Sequence, residues 1–213
     1  MMLDLSVDEV LSTTRAVRKR LDVTRPVPRA ILEECLELAL QAPNGANRND
    51  WRWIIVDDPA LIAKLAGEYR AAMGVLWDGQ KQGDPSVTAG VPHEDKLMDS
   101  AFSLAGKLDK VPAILIPLMA GRPDGKSVPE QAPMWGSILQ AVWSFCLALR
   151  SRGLGSVWTT VASRREQQIA DLLGIPFGQY TQVGLLPIAY TVGTDFKRAW
   201  RKPVAEVLTY DRF

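Results

Sequence analysis

The stretch that decides the fold runs from Met134 to Val161, MWGSILQAVWSFCLALRSRGLGSVWTTV. Between Met134 and Arg152 it carries Ile138, Leu139, Val142, Trp143, Phe145, Cys146, Leu147 and Leu149, so a helix here is apolar on nearly every face and is expected to be enclosed by protein. Arg150 and Arg152 fall in the last turn, where cations suit the carbonyl end of the dipole, and Gly153 is placed for a left-handed cap. After the Leu154-Gly155 turn, SVWTTV is β-branched and aromatic, which predicts a buried strand carrying an aromatic plane, Trp158, and two hydroxyls, Thr159 and Thr160. A buried helix running into a polar-tipped strand is a common way to build a ligand site.

Outward from this stretch, the composition bounds the rest. The chain has 213 residues, 47% apolar and 23% charged, with a formal net charge of +1. That fits one globular domain spanning residues 1–213, and it argues against nucleic acid as a partner. The apolar run near residue 140 is interrupted by Gln140 and reads as too short for a membrane span, so no membrane association and a cytoplasmic location are expected. Cys35 and Cys146 lie on apolar helical faces and read as buried free thiols. His93, the chain's one histidine, sits in a polar loop, which argues against a His-based triad and a multi-His metal site.

Ser6-x-x-Glu9 has capping-box spacing and starts a helix running toward Arg18; the cations at 15–20 then read as its solvated end. Residues 31–39 have helical apolar spacing that Pro43 stops. The turn-forming loop Pro43–Asp50 leads into the strand WRWIIVD, and its amides would let backbone approach a flat polar ligand. A short helix is predicted from Asp58-Pro59 to about Tyr69, a loop or lid over 78–92, a helix over 94–108, and a strand AILIPLM whose Pro117 favours an edge or the strand end. GRPDGKSVPEQAP reads as a long loop. Ser163-x-x-Glu166 repeats the capping-box signal before a helix that Gly174 and Pro176 stop, and QVGLLPIAYTV reads as one inner strand with a bulge or irregular pairing at Pro187. A second basic group, Lys197, Arg198, Arg201 and Lys202, closes the chain. No Walker loop and no dinucleotide-type glycine fingerprint follows a strand.

Six motifs in register resemble the nitroreductase family of flavin mononucleotide (FMN) enzymes. They are Arg15-Ala16-Val17-Arg18, Ala42–Asn47 leading to Trp51, Gly153–Thr160, Leu172–Pro176, Leu185–Tyr190 and the basic tail at Arg201. The resemblance implies a three-layer α/β/α fold of the α+β class, with a central mixed, largely antiparallel sheet, and an obligate homodimer with FMN at the subunit interface. It implies that Arg15 and Arg201 hold the FMN phosphate beside Ala16, and that Arg18 lies near the pyrimidine edge. It also implies that Pro43, Asn44, Gly45 and Asn47 reach the flavin from the partner, and that Trp158, Thr159 and Thr160 line the ring. Ala16 stands where the family usually has serine, Arg20 where an aromatic is common, and Asn49-Asp50 where Gln-Pro is frequent.

The implied activity is two-electron transfer from NADH or NADPH to nitroaromatic or quinone-type acceptors by a ping-pong route, with the flavin doing the chemistry and no protein nucleophile. The same scaffold also admits reductive dehalogenation, flavin breakdown, or a non-enzymatic FMN-binding dimer.

Overall fold

In β3 (Ala113–Ala120), Ile114, Ile116 and Leu118 join one apolar cluster while Ala113, Leu115 and Met119 join another. Successive side chains on a strand point to opposite faces, so a strand apolar at every position must be covered on both sides. The computed structural model describes residues 2–81 and 94–213 and shows what covers it. On one face lie α2 (Arg29–Ala39) and α5 (Val128–Ser151), through Leu32, Cys35, Ile138, Val142, Phe145 and Leu149. On the other lie α3 (Pro59–Lys81), α4 (Glu94–Ala105) and α6 (Glu166–Leu173), through Ile62, Leu65, Tyr69, Leu104 and Ile169. Each such side chain contributes about 1.5–3 kcal/mol by leaving water. The result is the expected three-layer α/β/α arrangement, with α1 (Val7–Thr13) leaning on α5.

The sheet runs β1 (Leu21–Asp22), β6 (Leu186–Thr191), β3, β2 (Arg52–Val56), with β4 (Leu154–Ser156) on β6 and β5 (Tyr180–Gln182) on β3. All of these pairings among the described residues are antiparallel. Pro117 is interior, contrary to the edge or strand end expected of it: it lies mid-strand, pairs with Trp53 of β2, and its carbonyl accepts from Val183 N at 2.9 Å. A residue's N–H and C=O point to the same neighbour in an antiparallel ladder, so the donor that proline lacks would face Val183–Leu185, where the expected single strand 182–192 breaks into β5 and β6. The irregularity sits there and not at Pro187, which pairs in register with Ile114.

Several boundaries move. Helix α1 has the capping box of Ser6 and Glu9 but stops at Thr13, because Thr14 is extended. Helix α3 continues past Tyr69 to Lys81, so residues 78–81 are helical; the remainder of the expected 78–92 loop, and His93, lie outside the described residues. Helix α5 begins at Val128, inside the stretch read as a loop, and its 24 residues are by length and composition enough to cross a membrane. It packs instead on α2, β3 and β4, and Gly153 follows it with φ 72°. Ser163 caps nothing: it lies within a 3-10 turn, Val161–Arg165, and α6 has no side-chain cap at its start, while Gly174 ends it at φ 67°.

Candidate functional site

Gly155 opens the site. A Cβ there would lie 2.6 Å from Thr191 Cγ2 and 3.0 Å from Val17 Cβ, so glycine is what lets the 15–18 segment lie against β4. Val17 N donates to Ser156 O at 2.8 Å and seals the contact. The predicted strand beyond Ser156 does not form. Trp158–Thr160 leave the ladder after one isolated bridge, in which Thr159 and Leu185 exchange backbone bonds of 3.1 and 2.9 Å. Trp158 lies over Gly184 and donates from Nε1 to Val183 O at 3.0 Å, keeping its indole partly exposed. Thr159 is buried, with its hydroxyl 3.3 Å from Tyr69 Oη, and burial pushes the Tyr69 phenol up. Arg18 is half-buried, donates to Ser100 Oγ at 3.2 Å, and is pulled below the ordinary guanidinium range by desolvation. Arg15, Ala16, Arg18, Trp158, Thr159 and Thr160 thus come from two segments held together by one backbone bond.

The cations at 15–20 are not a helix end, since α1 has already stopped. Arg15 donates to Lys197 O at 3.3 Å; Arg20 clasps Val192 O at 2.7 Å and Asp195 Oδ1 at 2.8 Å and lies over the Phe196 ring; Lys19 pairs with Asp99. The start of the C-terminal segment is therefore tied to this cluster. Arg201 is not part of the tie: it is exposed and donates to Trp200 O at 2.7 Å.

Pro43, Asn44, Gly45 and Asn47 lie elsewhere, over the first half of α5. Gly45 N donates to Ser137 Oγ at 2.9 Å. Asn44 Nδ2 donates to Asn49 Oδ1 and Asn44 Oδ1 accepts from the Asn49 backbone N–H, both at 3.0 Å, and Asn49 Nδ2 also donates to Asn47 O at 2.8 Å. Ala46, Asn47 and Asn49 all take positive φ, 53°, 52° and 52°, a strained set that the amide clasp maintains. Asn49, a departure from the family pattern, is the clasp. Beside this loop opens a cavity of about 600 Å³, with Arg48, Trp51, Met119, Lys126 and Met134 in its wall.

Three residues that sequence reasoning passed over belong to the site's surroundings. Tyr69 orients Thr159, while Arg150 and Ser156 are 5% and 7% exposed and each has a buried side-chain atom without a hydrogen-bond partner. No signal short of the fold marks Arg150, which reads as an ordinary helix-end cation.

The family model described as the Nitroreductase family matches residues 11–190. The chain belongs to the nitroreductase family. Among curated proteins it is similar to an NADH dehydrogenase of Thermus thermophilus, 44% identical over 60 residues; the match covers 26% of this chain and 29% of that relative's length. Among solved structures it resembles a BluB-like flavoprotein from Clostridium difficile 630 at 18% identity and TM-score 0.73, covering 98% of this chain and all of the other. An FMN and NADPH-dependent nitroreductase from Sphigopyxis sp. strain HMH superposes at 21% identity and TM-score 0.70, with 98% and 100% covered. These structures share the nitroreductase-like fold. In this nitroreductase-family chain, the motif residues separate into the Arg15–Trp158 group and the Asn44 loop.

Proposed function

We propose that two copies of this chain associate through α5 and bind FMN in each of two sites between them, giving an NADH- or NADPH-dependent oxidoreductase for nitroaromatic or quinone-type acceptors. The observation that carries this reading is the separation of the two residue groups. Gly45 docks at Ser137, whereas Thr13, beside Arg15, binds Arg150 thirteen residues further along α5. At a rise of ~1.5 Å per residue that is about 20 Å, too far for one chain to close both groups on one ring. Two α5 helices packed antiparallel would bring the loop of one copy to the Arg15 group of the other.

The residues fit a flat phosphorylated cofactor. Forked guanidinium donors at Arg15, and at Arg201 from the tail, suit its phosphate beside Ala16, and Arg18 offers a cation to the pyrimidine edge. Trp158, Thr159 and Thr160 line one side, with Pro43, Asn44, Gly45 and Asn47 of the partner copy closing the other. When bound, FMN supplies two-electron transfer between the nicotinamide and the acceptor. The chain's own part is to bind, orient and exclude water: the bridge at Thr159 fixes the backbone, and Tyr69 fixes the Thr159 hydroxyl.

Purified protein should be yellow and release FMN on denaturation, and it should oxidise NADH or NADPH when a quinone is added. Initial rates at several fixed acceptor concentrations should give parallel lines, as expected if one planar partner occupies the site at a time. A colourless protein that takes up no added FMN would overturn the reading.

A further inference from the structure

Arg20 grips the chain as it leaves the sheet. Beyond Thr191, where β6 ends, its Nε donates to Val192 O at 2.7 Å, its Nη1 to Asp195 O at 3.3 Å and its Nη2 to Asp195 Oδ1 at 2.8 Å, while the guanidinium carbon lies 4.2 Å from the Phe196 ring centroid. The backbone closes the same contact, Val192 N donating to Arg20 O at 2.8 Å. Gly193 makes the room: it turns the chain at φ 71°, and a Cβ there would lie 2.6 Å from Arg20 Nη2 and 3.0 Å from Asp195 Oδ1. Phe196 is half-buried against the body of the chain, whereas every residue from Trp200 to Phe213 is exposed.

Arg201 lies in that exposed run, so its direction is set by the last residues the body holds. It is four residues beyond Lys197, whose carbonyl takes a single bond of 3.3 Å from Arg15, and ten beyond Thr191. Past the span it must cover, a flexible tether dilutes its end roughly as the −3/2 power of its length, so releasing 192–197 would dilute Arg201 at its target about fourfold. An ion pair with the exposed Asp195 would not hold the segment alone. A planar fork that takes two carbonyls and lies over a ring does, and an aromatic at position 20, as the family commonly has, could donate to neither carbonyl. Here the tail supplies the ring and position 20 the cation. We propose that Arg20 is a positioning residue: with Gly193 and Phe196 it forms a latch that directs the C-terminal segment, and so Arg201, without itself touching the cofactor. This rests on the FMN reading above.

Two measurements test it. Chymotrypsin reads the latch itself: Arg20→Ala and Gly193→Ala should be cut after Phe196 several-fold faster than wild type, and Lys19→Ala at the wild-type rate. Titration of apoprotein with FMN and, separately, with riboflavin, which has the same ring and no phosphate, reads the consequence by flavin fluorescence. Arg20→Ala should weaken FMN binding about fourfold and leave riboflavin unchanged, and Arg20→Lys should recover part of the loss. In an Arg201→Ala background, Arg20→Ala should weaken FMN no further. Losses that add would mean that Arg20 meets the cofactor itself, and equal loss of both flavins would mean a general structural effect; either overturns the proposal. Unchanged cleavage would mean there is no latch, and faster cleavage with FMN affinity unchanged would mean a latch that positions nothing; both overturn it too. Should wild type bind neither flavin, the FMN reading fails and takes the role of Arg201 with it, whatever the protease shows.

Discussion

Gly184 has no room for a side chain: a Cβ there would lie 2.3 Å from Trp158 Nε1 and 3.0 Å from the Thr159 carbonyl. Gly184→Ala should therefore push the indole off Val183 and cost about 1–3 kcal/mol, as overpacking does. A urea midpoint lowered together with a shifted tryptophan emission would show it; an unchanged emission would mean the backbone yields instead. The two thiols make a prediction about pH. An unfolded thiol ionises near 9.0, while desolvation pushes the buried Cys35 up to about 11 and Cys146, which is only partly buried contrary to expectation, up to about 12. Above pH 9 the unfolded chain thus releases protons that the folded chain keeps, so stability should be level through neutral pH and fall from about pH 9 to about pH 11, by up to about 1.4 kcal/mol per pH unit for each thiol. Urea midpoints of a Cys35→Ala, Cys146→Ala double variant should fall less steeply over that window. The burial of Cys35 was legible from helical spacing, because its neighbours in the pattern are its neighbours in the core. The burial of Arg150 was not, because it depends on Thr13 and Phe196, which reach it only through the tertiary fold.

At the scale of elements, periodicity marked the middles and local polar chemistry misled about some of the ends. The capping pattern S-x-x-E occurs three times, at Ser6, Ser127 and Ser163, and it closes at the first two. At Ser163 it fails because Glu166 is drawn elsewhere, taking Arg122 Nη1 at 2.7 Å and Gln182 N at 2.8 Å. Its carboxylate is held by Arg122, just past β3, and by the Gln182 backbone, and so is not turned back to the start of the helix. The expected loop gives way to α5 from Val128 because Pro129 stands in the first turn, where proline is tolerated, and Ser127 and Glu130 complete the cap, while Pro133 lies inside the helix. Ser127→Ala should cost about 1 kcal/mol, read as a lowered thermal midpoint. Glu166→Ala should cost about 1–3 kcal/mol, since it removes the main partner of the part-buried Arg122, which keeps Asp124 and Tyr180 O. Equal losses from the two would mean that the Arg122 pair carries no more than a surface cap.

At the scale of the whole molecule, the resemblance already assigned the Asn44 loop to a partner copy, whereas residue spacing alone did not, because spacing along a chain does not say which side of a helix a loop lies on. The reading of α5 as apolar on nearly every face carries the remaining inference. Within one chain only part of that surface is covered: Trp143 stays 46% exposed, and Gly136 and Gln140 share its outward stripe. In the C-terminal tail Trp200, Val204, Val207 and Tyr210 are exposed as well. A second copy of the chain would bury both surfaces, and the stripe runs between the Asn44 loop at one end and the Arg15 group at the other, where an antiparallel pair would place one half-site on each side of the interface. Sedimentation should accordingly give a dimer that does not dissociate on dilution to the micromolar range. Trp143→Glu sets a charge in the middle of the stripe, and two such charges would face each other or apolar surface in a dimer, so the variant should sediment as a monomer at micromolar concentration. Because Trp143 is exposed in the single chain, the variant's far-ultraviolet circular dichroism should be unchanged, and its loss of FMN should follow its loss of the partner, returning as concentration is raised. A Trp143→Glu protein that remains dimeric and holds FMN would place the interface somewhere other than α5.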